Sequence, residues 1–239
     1  MPALVVKRQG RIAVLTLSRP EHGNRLTTAL AGEVATALRT ARDDAGVGAC
    51  VLTGAGDAFC LGGDYRGAGP TDEGRNAYAE ALLEMDDAMA RLGKPLVAAV
   101  NGNAHAGGFG MMVACDLAIA ADDATLGLPE AAAGLFPFIA LATVRDALPK
   151  KVLFDLIYRA RLMDTDEALS LHVINEALPR PQVLARAIAL AQQASAYDAE
   201  IVALGRGLYY EMRAARPRDA LEEARRALLA ALAATDRAL

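Results

Sequence analysis

The chain has 239 residues, with 25 Lys and Arg against 29 Asp and Glu, a formal net charge of −4, and 54% hydrophobic against 23% charged residues. Such a length fits one sizeable domain or a core with an appendage, and the acidic balance argues against a nucleic-acid binder, which gathers basic residues on one face. Disorder and a membrane span are disfavoured as well, because the composition is globular and no apolar run approaches the roughly 18 to 20 residues that a bilayer demands.

The opening MPALVVKRQGRIAV lacks a charged region leading into an apolar core and cleavage site, so a cytoplasmic location is expected. Cys50, Cys60 and Cys115 show no paired spacing and read as reduced thiols, with neither a disulfide framework nor a metal site. Val5–Lys7 and Ile12–Leu17 flank Gln9-Gly10 and predict a hairpin. After it comes Leu17-Ser18-Arg19-Pro20-Glu21-His22-Gly23-Asn24-Arg25-Leu26, in which Arg19 and Arg25 could meet a phosphate-bearing ligand or stay merely solvated. Thr27–Arg42 has helical periodicity, and Ala49–Thr53 reads as a buried strand.

That strand runs through the turn Gly54-Ala55-Gly56-Asp57 into Ala58-Phe59-Cys60-Leu61-Gly62-Gly63-Asp64-Tyr65. Glycines just past a strand permit positive φ and leave amide N–H groups free to point at an oxyanion, although Gly-Gly-Asp here is more often an ordinary turn. Asn76–Leu92 is helical and Leu96–Val100 is a second buried strand. It leads into the glycine-rich turn Asn101–Gly110 and a helix over Met111–Asp116, whose start would present further free N–H groups. Neither glycine cluster has GxGxxG or Walker spacing, so a nucleotide fold is not indicated. His105, inside the turn, could titrate near neutral pH or serve as a hydrogen-bonded loop residue.

In Gly127-Leu128-Pro129-Glu130-Ala131 the carboxylate stands in an apolar loop, where desolvation would suit it to general acid/base work; the plainer reading is an acidic helix start. Up to about residue 135 strand, loop and helix recur in the manner of βα units. From about Asp146 the pattern is helical, broken by Leu171–Glu176 and by Pro179 and Pro181. Pro217–Leu239, rich in Ala, Leu, Arg and Glu, could be core packing or a subunit surface.

In this order and spacing, RPE-x-x-N near residue 20, FCLGGD at 59–64, KPLVAAVNG to ACDLAIA at 94–120, LPE-x-x-x-GLFP at 128–137 and DEALSLHVINE at 166–176 resemble the enoyl-CoA hydratase/isomerase, or crotonase, family. The resemblance implies an α/β crotonase (ClpP-like) fold: a spiral of ββα units with the acyl-CoA site over 1–145, then a mostly helical trimerisation region over 146–239. It implies an oxyanion hole formed by the amides of Leu61 and Gly107, which would stabilise a thioester enolate, and Glu130 as acid/base. Asn24, Arg25, Leu26, Gly62, Gly63, Asp64, Tyr65 and Gly108 would lie along the coenzyme A moiety, largely through backbone atoms. Coenzyme A would enter as part of the acyl-CoA substrate with no separate cofactor, and the chain would self-associate as a homotrimer or hexamer, with no nucleic-acid or membrane partner. Met85, Met89, Phe136 and Phe138 could line the acyl pocket or belong to the core.

One departure matters for the chemistry. An ungapped match over Asn101–Asp116 puts Gly110 where a typical hydratase of the family carries its first glutamate. Hydration shares two proton tasks between two carboxylates, whereas moving a double bond needs one. The expectation is therefore double-bond isomerisation or slow hydration, with a non-catalytic acyl-CoA-binding homologue, a decarboxylase or a thioester hydrolase as alternatives. A serine hydrolase is disfavoured because GxSxG is missing.

Overall fold

The computed structural model describes residues 2–69 and 71–214, so the Pro217–Leu239 stretch lies outside the described residues. β1 (Leu4–Gln9) and β2 (Ile12–Leu17) form the expected antiparallel hairpin, with Gly10 between them at φ 59°. α1 (Thr28–Asp43) follows, capped by the Thr27 side chain, which accepts from the Leu30 amide. β3 (Ala49–Gly54) and β4 (Ala58–Cys60) precede α2 (Asp72–Ala90). That helix starts at Asp72, ahead of the expected Asn76, because Thr71 caps it and Asp72 and Glu73 suit the positive end of its dipole.

β5 (Leu96–Val100), β6 (Asn103–His105), α3 (Gly107–Val113), β7 (Leu117–Ala121) and β8 (Leu126–Gly127) complete the first half. α4 (Phe138–Val144), α5 (Lys150–Tyr158), β9 (Leu162–Met163), α6 (Thr165–Ser170), β10 (Glu176–Leu178), α7 (Arg180–Ala194) and α8 (Ala199–Ala214) form the rest. The later part is interwoven with the earlier one, giving β10 to the large sheet and β9 to the small sheet.

The large sheet has six strands in the order β1-β2-β3-β5-β7-β10, parallel beyond the opening hairpin. Alternate residues leave it on opposite faces, and the sequence fills both with apolar side chains. Ile12, Val14, Val51, Val97 and Ile119 pack under Val183, Ala187 and Ala191 of α7. Leu15, Leu52, Leu96 and Ala98 face the other way, against Leu30, Val34 and Leu38 of α1 and Met85 and Met89 of α2. α8 is fastened by Arg206, whose guanidinium bonds Asp116 and the carbonyls of Met89 and Ala90.

The small sheet, β4-β6-β8-β9, positions the site. β4 and β6 run parallel, with Ala58 opposite Asn103, so the loops leaving their ends emerge side by side. Sequence periodicity does not reveal these strands, which are two or three residues long. Cys50, Cys60 and Cys115 are free thiols, and burial pushes Cys50 up to about 12 and Cys60 up to about 11. Among the described residues, no helix is long and apolar enough to cross a membrane.

Candidate active site

Main-chain bonds fasten the loop after β4. The Leu61 amide donates to the Gly23 carbonyl at 2.9 Å, the Leu26 amide to Gly62 at 2.9 Å, and the Asp64 amide to Leu26 at 2.7 Å. This corrects the expectation for Leu61: its N–H is already spent on Gly23 and is not available to an oxyanion. The Gly63 amide has no acceptor among the described residues, and Gly63 lines the cavity beside Gly107. A Cβ at 63 would lie 2.1 Å from the Tyr78 hydroxyl, so a side chain there requires the end of that tyrosine to move aside.

Gly107 opens α3, which begins before the expected Met111, and its amide likewise has no acceptor among the described residues. The two loops touch. The Gly63 nitrogen is 3.8 Å from where Gly107 would carry a Cβ, and a Cβ on Gly62, at φ 96°, would lie 2.6 Å from that of Ala106. Gly108 does not line the cavity; it packs on β4, where a Cβ would come within 2.1 Å of the Cys60 carbonyl oxygen.

Glu130 enters the same cavity, of about 370 Å³, from the 3-10 turn Pro129–Ala133 after β8. Its Oε2 is buried with no hydrogen-bond partner among the described residues. Burial raises its pKa to about 7, opposed by a bond to its own backbone amide. A carboxyl poised near neutrality, lining a cavity that two free amides also reach, is equipped to move a proton next to a stabilised oxyanion.

Gly110 lines this cavity, and a side chain there would be tight against α4. A Cβ there would stand 3.0 Å from the Ala140 Cβ and 3.2 Å from its Cα on α4. Gly110→Glu is therefore expected to push α4 outward, with an overpacking cost of about 1 to 3 kcal/mol. Thermal melting should show the destabilisation, and a 2-enoyl thioester assay should show no gain in hydration; a gain of tenfold or more would mean that α4 yields.

The remaining expected positions divide. Asn24, at φ 54°, is fully buried; its side chain accepts from the Arg19 amide and donates to the Ala55 and Ala58 carbonyls. It is a brace for the loop and has no surface to offer a ligand, which corrects its placement along coenzyme A. Arg25, Leu26, Gly63 and Tyr65 line the cavity, and Arg25 also donates to the Leu61 carbonyl. Asp64 pairs with Arg19 at 3.5 Å, and Gly62 is buried behind the cavity wall. His105 is hydrogen-bonded as expected but stands at the end of β6 and lines the cavity: its Nε2 lies 2.9 Å from the Thr125 hydroxyl, and burial lowers its pKa. Met85, Phe136 and Phe138 line the cavity, while Met89 is core.

Sequence reasoning passes over several cavity residues, among them Asp86 of α2. The signal was present. Leu82, Met85 and Met89 form an inward stripe at helical spacing, and Asp86 interrupts it.

Similarity to known proteins points the same way. A family model described as enoyl-CoA hydratase/isomerase matches residues 7–237. Enoyl-CoA hydratase EchA19 of Mycobacterium tuberculosis is 32% identical over 201 residues, covering 82% of this chain and 75% of that protein. A carnitinyl-CoA dehydratase of Salmonella arizonae is 33% identical over 198 residues, covering 80% of this chain and 74% of its own length. The crystal structure of an enoyl-CoA hydratase from Mycobacterium smegmatis matches with a TM-score of 0.91 at 27% identity, over 97% of this chain and 91% of that one.

Proposed function

The chain belongs to the enoyl-CoA hydratase/isomerase family, with its crotonase-type α/β fold, and from that membership we propose that it shifts a double bond in an enoyl-CoA thioester, using Glu130 as its single proton carrier. The observation that carries this reading is the bare, buried Oε2 of Glu130 in the cavity that Gly63 and Gly107 also line. Ionised Glu130 takes a proton from the α-carbon of a 3-enoyl thioester, and the electron pair moves onto the thioester oxygen. The Gly63 and Gly107 amides donate to that oxygen. Glu130, now neutral, returns the proton to the fourth carbon, the electrons fall back, and a conjugated 2-enoyl thioester results. No atom is gained or lost, and one carboxyl suffices.

Hydration would need a second group to orient water, and Gly110 brings none where a typical hydratase of the family carries its first glutamate. Arg25 and Tyr65 stand at the cavity to receive the coenzyme A portion, which arrives with the substrate. The test is a panel of coenzyme A thioesters, following gain or loss of the conjugated chromophore. Isomerisation of 3-enoyl thioesters well above hydration of 2-enoyl thioesters is expected; robust hydration, or tight binding without turnover, would overturn the assignment.

The same reading keeps a cytoplasmic location and gives 146–239 the role of packing and self-association, as a homotrimer or hexamer. Exposed Tyr197, Ile201 and Tyr209, at and along α8, supply apolar surface for it. Light scattering on the purified protein should return a multiple of three protomers, and a monomer mass would remove this part.

A further inference from the structure

The cavity contains a second carboxylate that proton transfer by Glu130 leaves idle. The acidic neighbours of Asp86 on α2 are paired, Glu84 with Arg39 and Asp87 with Arg91. Asp86 makes no hydrogen bond or ion pair with any described residue, although it lies on the inward stripe of its helix. Burial alone raises its pKa, to about 6, so at neutral pH most of it remains ionised and can only accept hydrogen bonds.

Its position is specific. Asp86 and Thr143 line both this cavity and the neighbouring one of about 770 Å³, whereas Gly63, Gly107 and Glu130 line the first alone. Asp86 and Thr143 thus share the wall between the two spaces, apart from the Gly63 and Gly107 amides proposed to meet the thioester. A plain alkyl chain laid against that wall would strip water from the carboxylate and return nothing, which is costly for an ionised group. A chain bearing a donor would replace the lost water.

Building on the acyl-CoA reading above, we propose that the preferred acyl group carries a hydrogen-bond donor, a hydroxyl or an amino group, which Asp86 accepts at the wall it shares with Thr143. Asp86 is then a specificity residue and takes no part in proton transfer.

The experiment uses saturated thioesters that cannot turn over: hexanoyl-CoA and its hydroxy- and amino-substituted forms, with the substituent walked from the fourth to the sixth carbon. Affinities are measured by calorimetry on wild type, Asp86→Leu and, should the leucine variant fold poorly, Asp86→Asn. In wild type, at least one substituted thioester should bind about 10- to 100-fold more tightly than hexanoyl-CoA. Asp86→Leu should abolish or reverse that preference, and Asp86→Asn should keep a hydroxyl preference while losing most of an amino one. The hydroxyl and amino arms tell which donor is taken.

Equal affinity for hexanoyl-CoA and every substituted form would overturn the inference, as would a preference that survives in Asp86→Leu. So would an Asp86→Asn variant whose kcat on unsubstituted enoyl thioesters falls as far as that of Glu130→Gln, because Asp86 would then belong to the proton-transfer machinery. If no thioester binds wild type at all, the acyl-CoA reading itself fails, an outcome distinct from binding without preference.

Discussion

Glu130→Gln is expected to lower kcat for double-bond migration about a thousand-fold, within the range that a positioned acid/base contributes, while the affinity for a saturated acyl-CoA changes only a few-fold. Gln keeps the size and hydrogen bonding of the side chain but cannot carry the proton. The pH profile supplies an independent signature. On the proposed mechanism the reaction begins with ionised Glu130, whose pKa stands at about 7, so kcat/KM in wild type should climb through that pH to a plateau on the alkaline side, and the limb should vanish in the variant. Stability moves the opposite way. A carboxyl raised from 4.5 to about 7 stabilises the fold fully below the lower value and loses that contribution as pH rises through the upper one. Any melting-temperature advantage of Glu130→Gln should therefore be larger at about pH 8 than at about pH 5, separating lost chemistry from lost fold. A variant that retains wild-type kcat would remove Glu130 from the mechanism.

Gly108→Ala is expected to cost about 100- to 1,000-fold in kcat, although residue 108 touches no substrate. The added Cβ would fall 2.1 Å from the Cys60 carbonyl oxygen and 2.7 Å from its carbon, a backbone that cannot swing aside like a side chain. Relief comes only by parting β4 from α3, which separates the Gly63 and Gly107 amides and leaves the developing oxyanion with one good donor or none. Leu61→Ala is the control. Its side chain lines the cavity but its amide is committed to Gly23, so KM should shift with acyl structure while kcat stays close to wild type. A Gly108→Ala enzyme with unaltered kcat would show that the amides do not act as a pair.

Much of this was legible in the sequence, for physical reasons that also mark where reading stops. The hairpin, β3, β5 and α1 announce themselves because long apolar runs and a threonine cap have few other uses. Glu130 and Gly107 stand out because proline fixes the backbone just before the one, while the glycine run around the other allows close approach that no other residue permits. The wrong amide in FCLGGD has a plain cause. Every residue of that loop offers an N–H, and only the arrival of Gly23, far away in the chain, decides that Leu61 is consumed and Gly63 is left bare. Asn24 was misplaced for the same reason, since its brace to Ala55 and Ala58 is a tertiary contact. Gly110 showed in the sequence as a missing carboxylate, but how close Ala140 comes to that position depends on how α4 packs.

The loop bearing Gly63 is fastened by peptide groups: Leu61 to Gly23, Gly62 to Leu26, and Leu26 to Asp64. Mutation rewrites side chains and leaves peptide groups in place. Leu61, Met85, Met111 and Phe136 could each be exchanged for another apolar residue over generations, re-cutting the cavity for a new acyl group, without loosening the amides proposed to meet the oxyanion. Such an architecture can diversify its diet while inheriting its chemistry intact.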